Sequence, residues 1–100
     1  MLKEILVQDP TNKLARYGLA MEYSNAGETD HSIEQFQKLI EQDPQYSNAY
    51  FMAAQTLQRA ERTEEAKEML TKGISAAHRS GNKHAESEMQ SMLDELEIGY

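Results

Sequence analysis

The sequence predicts an all-α chain built as a solenoid of antiparallel helix-turn-helix hairpins. Three observations carry that expectation. Asp9-Pro10 recurs as Asp43-Pro44, thirty-four residues later, which is the period of a helix-turn-helix solenoid unit. At the same offset Leu2 falls on Phe36 and Leu70, Leu6 on Ile40 and Ile74, Ala15 on Ala49, Tyr17 on Phe51, Ala20 on Ala54, and Tyr23 on Leu57. Large positions meet large and small meet small, which composition alone does not produce. Finally, no stretch alternates apolar and polar residues for long enough to form a strand.

The elements follow in order. Met1 to Asp9 matches only the end of a second helix, so the array is expected to begin part-way through a unit. Leu2, Ile5 and Leu6 would then cover the outer face of the first whole hairpin. From Leu14 to Tyr23, the large residues Leu14, Tyr17, Leu19, Met21 and Tyr23 alternate with Ala15, Gly18 and Ala20. Such a helix is apolar over much of its girth and touches neighbours on two sides. Ala26-Gly27 ends it, because glycine tolerates the left-handed conformation of a helix C-terminus. Thr29 and Asp30 are candidate caps for the next helix, whose stripe is Ile33, Phe36, Leu39 and Ile40. Asp43-Pro44 stops it, since a residue before proline avoids the α region.

The pattern then restarts. Ser47 is the expected cap of a helix carrying Tyr50, Phe51, Met52, Ala53, Ala54 and Leu57. After a break at Glu61-Arg62, Thr63 is the expected cap for Ala66, Met69, Leu70, Gly73, Ile74 and Ala77. Ser80-Gly81-Asn82 reads as a turn. Beyond it Ala85, Met89, Met92, Leu93 and Leu96 recur at helical spacing among Glu86, Glu88, Gln90, Asp94 and Glu95. That last helix reads as a solvating cap, one place late relative to the repeat, because an array's end faces need covering. The expected organisation is a single domain: a partial helix over 1–9, repeats over 13–46 and 47–80, and a capping helix over 83–97.

These residues resemble the tetratricopeptide repeat family. The family's unit opens with a bulky residue, here Arg16 and Tyr50. A leucine or its equivalent and a small residue follow, as Leu19-Ala20 and Ala53-Ala54, then a large residue, Tyr23 and Leu57. Its second helix is small, large, small: Ser32, Phe36 and Leu39, then Ala66, Leu70 and Gly73. Proline closes the unit at Pro10 and Pro44. The small residues matter because two helices cross tightly only where side chains are short. Three positions depart from the pattern. Arg16 replaces an aromatic and should thin one contact. Leu39 replaces alanine and should push a helix pair apart. His78 replaces a closing proline and should let its helix run on toward Ser80.

The resemblance implies a right-handed solenoid whose first helices line a concave groove that holds a partner's peptide. Carried onto this chain, the groove residues are Leu14, Tyr17, Gly18, Met21, Ser24 and Asn25 from one unit. Asn48, Phe51, Met52, Gln55, Gln58 and Arg59 come from the next. They form an apolar floor with amides and one arginine around it. An alternative places Tyr17 and Phe51 in the core, under the terminal helix. Chaperone-binding members clamp a C-terminal carboxylate with lysine, asparagine and arginine; uncharged Tyr17, Met21 and Met52 stand at the corresponding positions, so no such clamp is expected.

Composition narrows the function further. Ten Lys and Arg against seventeen Asp and Glu leave a net charge of −7. That balance opposes binding to nucleic acid or to an anionic membrane, both of which select basic patches. There is no cysteine, hence no disulfide framework and no thiolate metal site. The apolar runs are far shorter than the ~20 residues needed to span a bilayer. The N-terminus lacks an apolar signal core, so a soluble cytoplasmic protein is expected.

Chemistry is not in evidence. His31, His78 and His84 are too dispersed for a helical metal pair and read as solvated. The five glycines form no phosphate loop, and no nucleophile elbow surrounds Ser24, Ser32, Ser75 or Ser80. Glu64, Glu65 and Glu68 share a helix with Lys67 and Lys72 as surface charges. The sequence therefore predicts a non-catalytic module without cofactor that binds a protein or peptide partner. The alternative is an assembly element that self-associates through open repeat ends, since ~3 or more repeats are expected for stability.

Overall fold

The computed structural model describes residues 1–98. Six helices lie along the chain: α1 Leu2–Gln8, α2 Lys13–Asn25, α3 Thr29–Gln42, α4 Ser47–Arg59, α5 Thr63–Ser80 and α6 Lys83–Ile98, with no strand among the described residues. α2 and α3 form one antiparallel hairpin and α4 and α5 a second, with α3 packed on α4. α1 lies against α2, and α6 lies against α5 and the edge of α4. The result is an all-α solenoid of helical hairpins.

The core runs through the layer between first and second helices. Phe36, Leu39, Leu57, Leu70 and Met89 are its largest fully buried residues, each stabilising by roughly 1.5–3 kcal/mol relative to exposure. Small residues occupy the crossings: Ala20, Ala53, Ala54, Ala66 and Ala77 are completely buried. Ser32 is buried with them and donates its hydroxyl to the Ala20 carbonyl at 2.8 Å, so its polarity is satisfied where a second helix meets a first.

The turn between units repeats in its hydrogen bonds. Asn12 N–H donates to the Asp9 carbonyl at 3.1 Å, and Tyr46 N–H to the Asp43 carbonyl at 3.0 Å. Asp9 Oδ1 accepts from Thr11 N–H, and Asp43 Oδ1 from Gln45 N–H. Lys13 Nζ then reaches Asp43 Oδ2 at 3.1 Å, and the Gln42 amide donates to the Thr11 carbonyl. These two contacts join successive turns.

The turn inside each hairpin also repeats. Glu28 N–H donates to the Tyr23 carbonyl and Arg62 N–H to the Leu57 carbonyl, both at 2.9 Å. The bond requires a left-handed residue, supplied by Gly27 at φ 78° in the first hairpin and by Glu61 at φ 61° in the second. At both kinds of turn the helix begins one residue before the serine or threonine nearest its start could cap it. Glu28, Tyr46 and Arg62 precede α3, α4 and α5 without a side-chain cap, and Thr29, Ser47 and Thr63 are first helical residues instead. Side-chain caps occur at Asn12, which accepts from Ala15 N–H at 2.9 Å, and at Asn82, which accepts from Ala85 N–H at 3.1 Å. Arg62 spans the hairpins from its turn, pairing with Asp30 on α3 and with both oxygens of Glu65 at 2.9 and 2.7 Å. Its guanidinium holds the Glu65 carboxyl below the usual range.

Two expectations about the repeat are corrected. Arg16 does not thin its contact: its guanidinium donates to Gln35 Oε1 at 2.7 Å and to the Pro10 carbonyl at 3.0 Å. In the next unit the Tyr50 hydroxyl donates to the Pro44 carbonyl at 2.7 Å, so both residues tie their helix to the preceding proline turn. Leu39 does not push α2 from α3. The hairpin packs as the second one does, and Leu39 is fully buried. In the second unit Gly73, thirty-four residues after Leu39, lies against the Tyr50 side chain, which stands thirty-four after Arg16. α5 does run on to Ser80, as the loss of proline at His78 implies.

Two substitutions read these constraints. A Cβ at Gly73 would lie 2.5 Å from Met89 Sδ and 2.7 Å from Tyr50 Cβ. Gly73→Ala is therefore expected to lower the unfolding free energy by about 1–3 kcal/mol. Glu61→Gly relieves the left-handed residue and should raise it by about 0.5–1 kcal/mol. Urea denaturation followed by circular dichroism measures both; equal midpoints for the three proteins would contradict the turn and crossing geometry.

Candidate functional site

The site begins with how helices are ordered across the solenoid. α3 and α5 form the back layer, which leaves α2, α4 and α6 in sequence on the other face. α6 enters this row because it packs on α5 as α4 packs on α3. Its start lies thirty-six residues after that of α4, whereas α4 starts thirty-four after α2. The reason is local: α5 runs to Ser80, past the residue that aligns with the end of α3, and a shorter turn recovers only part of the excess. The expected one-place lag of the last helix is thus a lag of two.

With that phase, α6 uses both of its sides. Met89 is buried, and Ala85, Met92, Leu93 and Leu96 pack against the core. The stripe His84, Ser87, Glu88, Ser91 and Glu95 faces α4 across a cleft of about 470 Å³, whose α4 wall is Phe51, Gln55 and Gln58. Phe51 and Met92 supply its apolar surface. His84 Nε2 lies 3.3 Å from Glu88 Oε1, a pairing that is charged only when the imidazole is protonated.

A second, smaller cleft of about 290 Å³ lies at the C-terminal ends of α2 and α4, lined by Ser24, Asn25, Gly27, Thr29, Thr56, Arg59 and Ala60. A relay of hydrogen bonds organises it. The Arg59 guanidinium donates to Ser24 Oγ, Ser24 Oγ and Thr56 Oγ1 are 2.7 Å apart, and Thr56 donates to the Met52 carbonyl at 2.8 Å. Since Thr56 uses its proton on that carbonyl, Ser24 must donate to Thr56. Both hydroxyls are buried and both are satisfied. The relay joins α2 to α4 and holds Arg59 at the rim.

The sequence-predicted groove residues therefore separate. Phe51 and Gln55, with Gln58, lie in the larger cleft, and Asn48 adjoins it beside Ala85 and Met89. Asn25 and Arg59, with Ser24, lie in the smaller one. Tyr17, Met21 and Met52 pack partly buried against the core, and Leu14 is 77% exposed; these four line neither cleft. Tyr17 stacks on Tyr46 with ring centroids 5.9 Å apart and meets Phe36 edge-on at 6.1 Å. Burial, with Tyr46 nearby, raises its phenol above the usual value. What covers Tyr17 is thus the inter-unit turn rather than the terminal helix, while Phe51 remains open to the cleft.

The α6 wall is what the sequence reading missed. Its signal was present, because His84, Ser87, Glu88, Ser91 and Glu95 share one helical stripe. Reading that helix as a solvating cap left these polar residues on the solvent side. The three histidines are solvated as expected, with side-chain exposures of 63, 77 and 86% for His31, His78 and His84. Among the described residues no cluster of metal-ligating side chains is present, and no helix is long and apolar enough to cross a membrane.

The relay makes a stability prediction. Thr56→Val leaves the buried Ser24 hydroxyl without its acceptor and should cost about 1–3 kcal/mol. The double variant Ser24→Ala/Thr56→Val should lose less than the sum of the two single changes, because it removes both partners. A double-mutant cycle in urea measures this; strict additivity would exclude the coupling.

Comparison with known proteins agrees with the fold. Two sequence profiles of the tetratricopeptide repeat match residues 15–46 and 35–68. A TPR repeat-containing protein of Pseudomonas aeruginosa is 32% identical over 96 residues, or 96% of this chain and 91% of that protein. The backbone is similar to the solution structure of a tetratricopeptide repeat domain protein from Salinibacter ruber. The TM-score is 0.81 at 28% identity, over 92% of this chain and 93% of the other. In fold it is also similar to the TPR2B domain of yeast Sti1 in a pHsp70 complex, with a TM-score of 0.85 at 17% identity, over 99% of this chain and 79% of that one.

Proposed function

The chain belongs to the tetratricopeptide repeat family, and on that premise we propose that it is a non-catalytic module holding a segment of a protein partner in the concave cleft between α4 and α6. The fold is in general a protein-interaction fold. The observation that carries the reading is the cleft itself, about 470 Å³ with Phe51 and Met92 as apolar surface and Gln55, Gln58, Ser87 and Ser91 around them. Glutamine amides and serine hydroxyls can pair with the backbone of an extended segment. An aromatic beside a methionine takes an apolar side chain without demanding one shape. Of the groove residues inferred from the family, Phe51, Gln55 and Asn48 are assigned to this cleft. Asn25 and Arg59 are assigned to its continuation at the other end of the groove. Tyr17, Met21 and Met52 support the surface from α2 and α4, and Leu14 lies outside both clefts.

Random peptides displayed on phage and selected on the intact chain test this. A selected peptide should shift the amide resonances of Phe51, Gln55 and Met92, and Phe51→Ala should weaken its binding by about tenfold or more. Shifts confined to α3 and α5 would refute a concave site.

A second reading, self-association, is favoured by one observation. Met1, Val7 and Leu14 are 93, 81 and 77% exposed, three large apolar side chains near the start of the chain. If they meet a second copy, sedimentation should show mass rising with concentration, and Val7→Ser/Leu14→Ser should abolish the rise. A concentration-independent monomer would remove this reading and leave the first intact.

A further inference from the structure

We propose that the segment bound between α4 and α6 is cationic, seating an apolar side chain on Phe51 and Met92 and presenting lysine or arginine to Glu88 and Glu95. The inference rests on the reading of that cleft as a peptide site and adds the partner's charge to it. The three helices of the concave face differ in charge. The groove positions of α2 are uncharged, and those of α4 within the cleft are Phe51, Gln55 and Gln58. α6 contributes Glu88 and Glu95. Among the described residues no lysine or arginine lines the cleft, and its one further ionisable group, His84, competes for Glu88 only when protonated. Arg59, the cation at the far end of α4, is tied to Ser24 and lies in the other cleft.

The two carboxylates lie seven residues apart on one helix, which is two turns and about 10.5 Å. A partner in the polyproline II conformation rises about 9.3 Å over three residues and returns its side chain to the same face, so a pair of cations flanking a short apolar core matches the spacing. The whole chain carries −7, which adds a long-range field of the same sign. Other occupants fare worse by the same argument. A second copy would bring −7 against an acidic wall, and an acidic segment or a polyanion would meet like charge. Rim charges of this kind select partners and speed encounter more than they add affinity.

The test uses three capped synthetic peptides of equal length. One holds a Leu-Phe pair between two lysines; its twins carry serines or glutamates in place of the lysines. Each is titrated at low salt into the ¹⁵N-labelled intact chain and into the E88Q/E95Q variant, whose changes lie on the surface. The lysine peptide should shift Phe51, Gln55, Ser91 and Met92 and bind tightest, the glutamate peptide weakest. The variant should weaken the lysine peptide by about 1.5- to 5-fold per carboxylate and leave the serine peptide unchanged. Equal binding of all three in the cleft, or an unchanged lysine affinity in the variant, overturns the cationic partner while the peptide site stands. Absence of cleft shifts with all three peptides overturns both.

Discussion

Helices within a hairpin can nest only where almost no side chain stands between them, and the rest of this structure depends on that close approach. Ala20 meets Ser32 at the first crossing, with the serine hydroxyl bonded to the alanine carbonyl at 2.8 Å. The residues thirty-four further on are Ala54 and Ala66, both without exposed surface. Short side chains bring axes toward the lower end of the usual 8–10 Å separation. Once two helices are that close, their large residues must pack above and below the crossing. Phe36, Leu57 and Leu70 do so and become the core. The antiparallel hairpin, the stacking of one hairpin on the next and the row of first helices on one face all follow from this choice of small residues.

The same constraint explains what the sequence disclosed and what it did not. The hairpins, their order and the buried stripes were legible, because each rests on a residue type that physics restricts: alanine at a crossing, proline after a helix, a left-handed turn. The expected caps Thr29 and Thr63 were displaced into their helices, since the backbone bond across the left-handed Gly27 or Glu61 starts the next helix early. The fate of Arg16 and Leu39 was not legible at all. Each looks like a defect when read alone. In the structure Leu39 is fully buried, and Arg16 does through its guanidinium what Tyr50 does through its hydroxyl, each bonding the carbonyl of the preceding proline.

The candidate site was less legible than the fold, and for a different reason. Burial constrains a core residue from every side, whereas a groove residue is constrained by phase alone. Tyr17 and Phe51 occupy equivalent positions in their repeats, yet the first is taken up by Tyr46 and Phe36 and the second borders open space. What differs is the neighbour on the next unit. Phe51 faces α6, whose shift of two residues puts serines and carboxylates across from it where Tyr17 has an aromatic turn beside it.

That shift makes α6 serve two purposes that the sequence renders as one. A helix closing an array is expected to be polar on every side it does not bury, so its glutamates and serines read as solvation. A helix in the row of first helices must also present a surface to the concave side, and that surface is drawn from the same polar residues. The two roles are compatible because they use different arcs of the helix: Met89 and Leu93 point into the core, and Ser87 and Ser91 flank the cleft. Small hydroxyls there keep the cleft open where leucines would fill it. In the proposed reading, the carboxylates that solvate the end of the array are also those a bound segment would meet, so both roles fall to one helix face and its edge.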